Sequence, residues 1–170
     1  MDIYKAIQIK RAVRHFQDKP IPEEAIITIL NAGRRAQSAK NIQPWQFIAI
    51  RDKNTLADLS KLGTYAGHLA GAALAIAIIT PDPASRFSVM FDAGQAAAYM
   101  QLAAFGLGIG SCPATIYEPD KARQILGFPM EMHINVCISF GYPLAEEDMT
   151  RPPKKGGRSP LDQVVHWEKW

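Results

Sequence analysis

A chain of 170 residues, 48% apolar and 21% charged, is long enough to bury a core and too apolar to remain disordered. Its net charge of +3 is too small for a long phosphate backbone, which calls for a concentrated basic face, but it suits a small anionic ligand. The chain therefore reads as a single domain over residues 1–170 with no nucleic-acid partner.

The first element in chain order is a short helix over Ile3 to Ile9, running into the basic turn KRAVRHF at Lys10 to Phe16. IPEEAIITILNAGRRA follows as an amphipathic helix. Pro22 suits its first turn, Glu23 and Glu24 complement the helix dipole, and Ile26, Ile29, Leu30 and Gly33 recur at helical spacing. This helix is expected to stop near Gln37 and Ser38. The elbow AKNIQPWQF then leads into a strand at Phe47 to Ile50, and Asn54 is the expected cap of the helix TLADLSKLG. Ala72 to Ile79, apolar on both faces, reads as a buried strand. The enclosing apolar segment from Leu69 is roughly half the ~20 residues that span a bilayer, so no membrane partner is expected.

Arg86 to Phe105 reads as the longest helix, with Phe87, Met90, Phe91, Gly94, Ala97, Ala98, Gln101, Leu102 and Phe105 along one face. A face this small invites close approach of another helix. A helix at Asp120 to Leu126 and a strand at Ile134 to Gly141 complete the core. The Pro-, Gly- and Lys-rich stretch from Tyr142 to Pro160 is an extended connection, ending in LDQVVHWEKW, whose tryptophans suggest docking. Periodicity leaves α+β and α/β both open.

The chemistry-bearing motifs are few. GLGIGSCPA at 106–114 has spaced glycines, but a helix precedes it where a dinucleotide loop follows a strand; a helix C-cap with tight packing explains it, or close backbone approach to a flat ligand. His15, His68, His133 and His166 have no metal spacing, and His68 reads as a partly exposed loop histidine. Cys112 and Cys137 frame no disulfide set or metal site. Cys137 reads as a small buried hydrophobe, and a reducing cytoplasm follows as the expected location. No secretory apolar region opens the chain, and no GxSxG elbow occurs. The strongest signal is Lys10, Arg11 and Arg14 within five residues, whose forked and point charges suit a phosphate monoester, with Arg158 a fourth cation if the tail folds back.

Four blocks in order, IKRAVRHF, AQSAKNIQPWQFIAI, FDAGQAAAYMQLAAFGLGIGSC and GYP…RSPLDQVVHWEKW, make the chain resemble the FMN-dependent nitroreductase family along nearly its whole length. The resemblance implies an α+β fold with a mostly antiparallel central sheet flanked by helices. It also implies an intertwined homodimer with FMN at two interface sites, the long helix at the dimer centre, and residues 142–170 reaching the partner subunit. Lys10, Arg11 and Ala12 match the basic-basic-Ser turn that holds the FMN phosphate and ribityl chain, with Ala12 departing from the usual Ser. Arg14 matches a basic position at the flavin's pyrimidine edge, where its charge is the catalytic contribution expected of a side chain. Arg158 matches the C-terminal phosphate-binding Arg; Gly156 stands where a Lys is common, and Lys155 is its candidate replacement. Gln37, where Pro is usual, with Ser38, Ala39 and Asn41, matches the segment the partner lays against the flavin. Pro113, Ala114 and Thr115 match a loop whose backbone N–H faces flavin N5.

What the resemblance implies for activity is a two-step reaction: NAD(P)H gives hydride to FMN, and a nitroaromatic, quinone or similar small acceptor then takes the electrons in the same pocket. An FMN storage or sensing protein is the alternative from another class, and dehalogenation, enoyl reduction and flavin fragmentation are alternatives within the family. In the elbow, Gln43 and Pro44 stiffen the loop, Asn41 faces the flavin's polar edge, and Trp45 anchors an interface or the core.

Overall fold

Among the residues the computed structural model describes, 2–152 and 156–170, five helices and four strands occur. In chain order they are α1 (Ile3–Ile9), α2 (Glu23–Arg34), β1 (Gln46–Ile50), α3 (Lys53–Leu59), β2 (Leu74–Pro81), α4 (Val89–Gly106), β3 (Gly110–Thr115), α5 (Pro119–Leu126) and β4 (Met132–Gly141). The Lys155 assignment lies outside the described residues.

The strands form one sheet in the order β1-β2-β4-β3, each neighbouring pair antiparallel. β2 is central and buried from Leu74 through Thr80, as an apolar run without alternation requires. One sheet face, carrying Leu74, Ile76, Ile78, Ile138 and Phe140, packs on α2 and α4. The other, with Ala75, Ala77, Ile79 and Cys137, packs on Leu56 and Leu59 of α3, Leu69 and Ala122 of α5. Helices on both sides of an antiparallel sheet make the fold α+β, which periodicity had left open.

Several boundaries and faces differ from expectation. Asp52, not Asn54, caps α3: its Oδ1 accepts from the Thr55 N–H at 2.8 Å and the Thr55 hydroxyl at 2.7 Å. The helix begins one residue before Asn54, so Asn54 lies inside it. α2 stops at Arg34, ahead of Gln37, and α4 begins at Val89, because Asp82 caps a separate 3-10 turn at Pro83–Ser85. The buried stripe of α4 is Val89, Ala93, Ala96, Met100 and Ala104, not the face through Met90, Gly94 and Ala98. Small residues do bring α2 and α4 together, since a Cβ on Gly33 would sit 2.8 Å from Met100 Cγ. Of the face expected to pack, Phe87, Met90 and Phe91 are exposed.

Trp45 is buried in the core and stacks on Phe47, ring centroids 6.3 Å apart. Cys137 is fully buried and its thiol pKa is pushed up to about 12, so it is a core residue and not a nucleophile. The stretch after β4 is less extended than expected, turning at Glu146–Met149 and again at Leu161–Gln163. Trp167 and Trp170 at its end remain exposed.

Candidate functional site

The basic turn lies along the free edge of the sheet. Ala12 bridges Ser111 in parallel, and the Val13 N–H donates to the Ser111 carbonyl at 3.1 Å. A Cβ on Gly110 would fall 2.6 Å from that of Val13, so this glycine lets the turn reach β3. Of the GLGIG run only Gly110 serves close packing; Gly106 and Gly108 have open space beside them, and Gly108 instead takes the left-handed φ of 73° just past the α4 C-terminus. Pro113, Ala114 and Thr115 belong to β3 itself, not to a loop; Pro113 is tolerated because an edge strand leaves its missing N–H without consequence. Pro113 and Thr115 are exposed and Ala114 is buried.

Each cation of the turn is held differently. Lys10 Nζ donates to Gln101 Oε1 of α4 at 3.0 Å, and burial pulls its pKa below the ordinary value, with Cys112 acting weakly the other way. Arg11 donates through one guanidinium nitrogen to the carbonyls of Gln8 and Lys10, at 2.9 and 3.0 Å, closing the C-terminal end of α1. Its backbone N–H donates to the Met149 carbonyl at 2.9 Å. That bond seats the 146–151 turn beside the cations, so that Arg11, Ala12, Arg14, Asp148 and Arg151 line one open pocket. Arg151 is a site residue the sequence did not reveal, because only folding brings position 151 back to position 11. Its guanidinium is held by Glu147 at 3.0 Å and Asp148 at 3.2 Å. Arg158 is exposed and lines neither this pocket nor the next.

Arg14 also lines a second pocket, with His15, Phe16, Tyr65, His68 and Leu144. His68 is buried, contrary to its reading as a partly exposed loop residue. Its Nδ1 lies 2.8 Å from Ser139 Oγ, which itself donates to the Cys112 carbonyl at 3.2 Å. Burial lowers the His68 pKa, the Arg14 charge lowers it further, and the nearby Pro113 carbonyl works weakly the other way. The sign for stability follows from the lowered folded value. Below the ordinary imidazole pKa of ~6.5 the unfolded chain protonates first, so stability falls with pH until the folded pKa is reached. The melting temperature is expected to drop between about pH 7.5 and 5.5, and His68→Gln to remove part of that drop. Equal drops in both proteins would clear His68.

The elbow forms the other half of the expected site. Asp92, 1% exposed, accepts the Ala39 N–H with both carboxylate oxygens at 3.2 Å. Arg86 donates to the Ala39 carbonyl at 3.3 Å, Gln95 to the Gln37 carbonyl at 3.3 Å, and Ser38 Oγ accepts from the Gln43 N–H at 2.9 Å. Lys40, Asn41 and Gln43 take φ values of 56°, 54° and 53°. Gln37 and Asn41 face solvent, and Ser38 and Ala39 are partly covered.

The two halves do not meet within one chain. Lys10 contacts α4 at Gln101 and the elbow contacts it at Asp92. Nine residues of helix are about 13 Å and two and a half turns, which puts the two contacts on opposite sides of α4. Between α4 and the sheet, an apolar groove runs past Met90, Gly94, Ala97 and Gln101 to Pro113 and Val136.

Residues 7–64 and 62–142 match the sequence model of the Nitroreductase family. The chain belongs to the nitroreductase family. A relative from Archaeoglobus fulgidus, provisionally named an NADH dehydrogenase/NAD(P)H nitroreductase, is 33% identical, the alignment covering 98% of this chain and 97% of the relative. A Clostridium difficile structure described as an FMN-dependent nitroreductase is 29% identical, superposes with a TM-score of 0.81, and shares 97% of this chain and 98% of its own. B. megaterium NfrA2, 22% identical, has the same fold at a TM-score of 0.89, covering all of this chain and 76% of its own. The nitroreductase fold thus carries both the basic turn and the elbow on a common α4 scaffold. No helix among the described residues is long and apolar enough to cross a membrane, and no group of His, Cys, Asp or Glu among them could hold a metal.

Proposed function

We propose that this nitroreductase-family chain is an FMN-dependent oxidoreductase that passes electrons from NAD(P)H to a small acceptor such as a nitroaromatic or quinone, acting as a homodimer. One observation carries the reading: Lys10, Arg11 and Arg14 share one turn, Arg11 and Arg14 line one open pocket, and none of the three has a carboxylate at ion-pair distance among the described residues. Two arginines on one pocket, with Lys10 of the same turn half-buried against a neutral amide, form a cluster that an anion would complete.

The residues fit FMN. The pocket of Arg11, Ala12 and Arg14 suits a phosphate monoester, with Arg151 at its rim. Ala12 offers a methyl group where a hydroxyl would add a bond, so its backbone and the flanking cations do the holding. The exposed side of β3 at Pro113 and Thr115, beside the apolar groove, gives a flat ring a surface to lie on. Arg14, shared by both pockets, sets positive charge beside the ring's polar edge. Arg158, outside both pockets, adds to phosphate binding only as the tail repositions or comes from a second copy.

FMN bound there would supply the hydride- and electron-transfer chemistry. The chain's own work is to bind, to orient and to exclude water. Homodimer formation is supported by Phe87 just before α4, Met90 and Phe91 on α4, Ile3, Tyr4 and Ile7 on α1, and Trp167 and Trp170 on the tail, all exposed on one chain. A second copy would also supply the elbow, with Gln37, Ser38, Ala39 and Asn41, that this chain holds on the far side of its own α4.

The purified protein is expected to be yellow with bound FMN and to bleach rapidly on anaerobic mixing with NADH or NADPH. A protein that takes up no FMN would overturn the reading. One that holds FMN without bleaching would be a flavin carrier, not an oxidoreductase.

A further inference from the structure

Asp92 is a buried carboxylate with no cationic partner at ion-pair distance among the described residues, and both of its oxygens lie on a single backbone N–H, that of Ala39. A buried carboxylate given to one amide is a costly arrangement for fold stability alone. The backbone it grips is itself unfavourable, since three non-glycine residues of the five from Lys40 to Pro44 stand in the left-handed region. Arg86 and Gln95, six residues before and three after Asp92, reach the carbonyls of Ala39 and Gln37. The start of α4 and Arg86 just before it therefore clamp the elbow by one N–H and by two carbonyls. Meanwhile the Gln37 and Asn41 side chains remain exposed and unburied by their own chain.

The geometry points to Asp92 as a positioning residue: it holds the strained elbow in the one conformation that presents Ser38 and Asn41 to the flavin site. The inference rests on the FMN reading above. It assigns no contact between Asp92 and the cofactor, because the carboxylate is spent on Ala39 and is sealed from solvent. The strain is retained because Asp92, Arg86 and Gln95 together over-determine the segment, and a preformed elbow binds without first being ordered.

The test uses the full chain, stripped of flavin and titrated with FMN while flavin fluorescence is followed, alongside the melting temperature of the flavin-free protein. Asp92→Ala is expected to weaken FMN binding about tenfold or more, as small misplacements of positioning groups do. Asp92→Asn keeps one oxygen for the Ala39 N–H and is expected to restore most of the affinity. Gln95→Ala, which removes an exposed tie and leaves the core intact, is expected to weaken binding severalfold with an unchanged melting temperature. Should Asp92→Ala fail to fold, the Asn and Gln95 variants carry the same comparison. Lower melting temperatures with unchanged FMN affinity in all variants would overturn the assignment and leave Asp92 a structural residue. A wild-type chain that binds no FMN would overturn the flavin reading itself, and this assignment with it.

Discussion

Replacing Lys10 and Arg14 together by Ala is expected to lower FMN affinity by about a hundredfold. Each side chain would give a charge-assisted hydrogen bond worth about 1.5 kcal/mol to an anionic ligand, and two such losses amount to roughly that factor. The fold should tolerate the change. Arg14 has no ion pair among the described residues, and Lys10 loses one bond to Gln101 while relieving a half-buried charge. The dependence of FMN affinity on salt should flatten at the same time, because fewer charges meet the phosphate. Arg14→Ala alone carries a separate signature. A cation beside the ring favours whichever redox state is more negative, so its loss should move the flavin midpoint potential down by tens of millivolts, about 30 mV for each 1.4 kcal/mol on a two-electron couple. The figure is discounted because Arg14 is exposed and screened. Unchanged FMN affinity in the double variant would remove the basic turn from the site. An unshifted or higher potential in Arg14→Ala would remove that residue from its catalytic role.

Mixed dimers give the second large effect. One parent carries the basic-turn changes Lys10→Ala and Arg14→Ala. The other carries Asn41→Glu, which sets a negative charge on the exposed tip of the elbow. Each variant alone is expected to bind FMN poorly at every site. Combined, one site of the mixed dimer takes its turn from one chain and its elbow from the other, both intact, so half of the sites should regain wild-type affinity. The geometric reason is the placement of the two halves on opposite sides of α4. If one chain built the whole site, mixing would rescue nothing, and that result would refute the shared-site proposal. A monomeric protein with full FMN affinity would refute it as well.

The basic turn was legible from the sequence because its cations are neighbours in the chain: Lys10, Arg11 and Arg14 needed no folding to be seen as a cluster. β2 was legible for a similar reason, an unbroken apolar run being readable from composition alone. The elbow was legible as a peculiar stretch, but not as a strained one, since φ is not written in the residues Lys40, Asn41 and Gln43. Its clamp was invisible, because Asp92 lies 53 positions from Ala39 and reads locally as a first-turn acid of a helix.

The face of α4 was misassigned for a physical reason. Its residues are apolar or small nearly all round, so amphipathic periodicity gives no preference, and only packing against α2 and the sheet selects Ala93, Ala96 and Met100. His68 was misread because a histidine in a glycine-rich turn looks solvent-facing until Ser139, 71 positions away, comes to meet it. By itself, then, the sequence determined what is local: the cation cluster, the five helices, three of the four strands, and, through four ordered blocks, the nitroreductase family; β3, with Gly110 and Pro113 in it, reads as a loop until it pairs with β4. Tertiary structure alone decided which distant groups satisfy each other, Asp92 with Ala39, Arg151 beside Arg11 and His68 with Ser139. Burial and hydrogen-bond satisfaction are properties of the packed chain, not of any stretch of it.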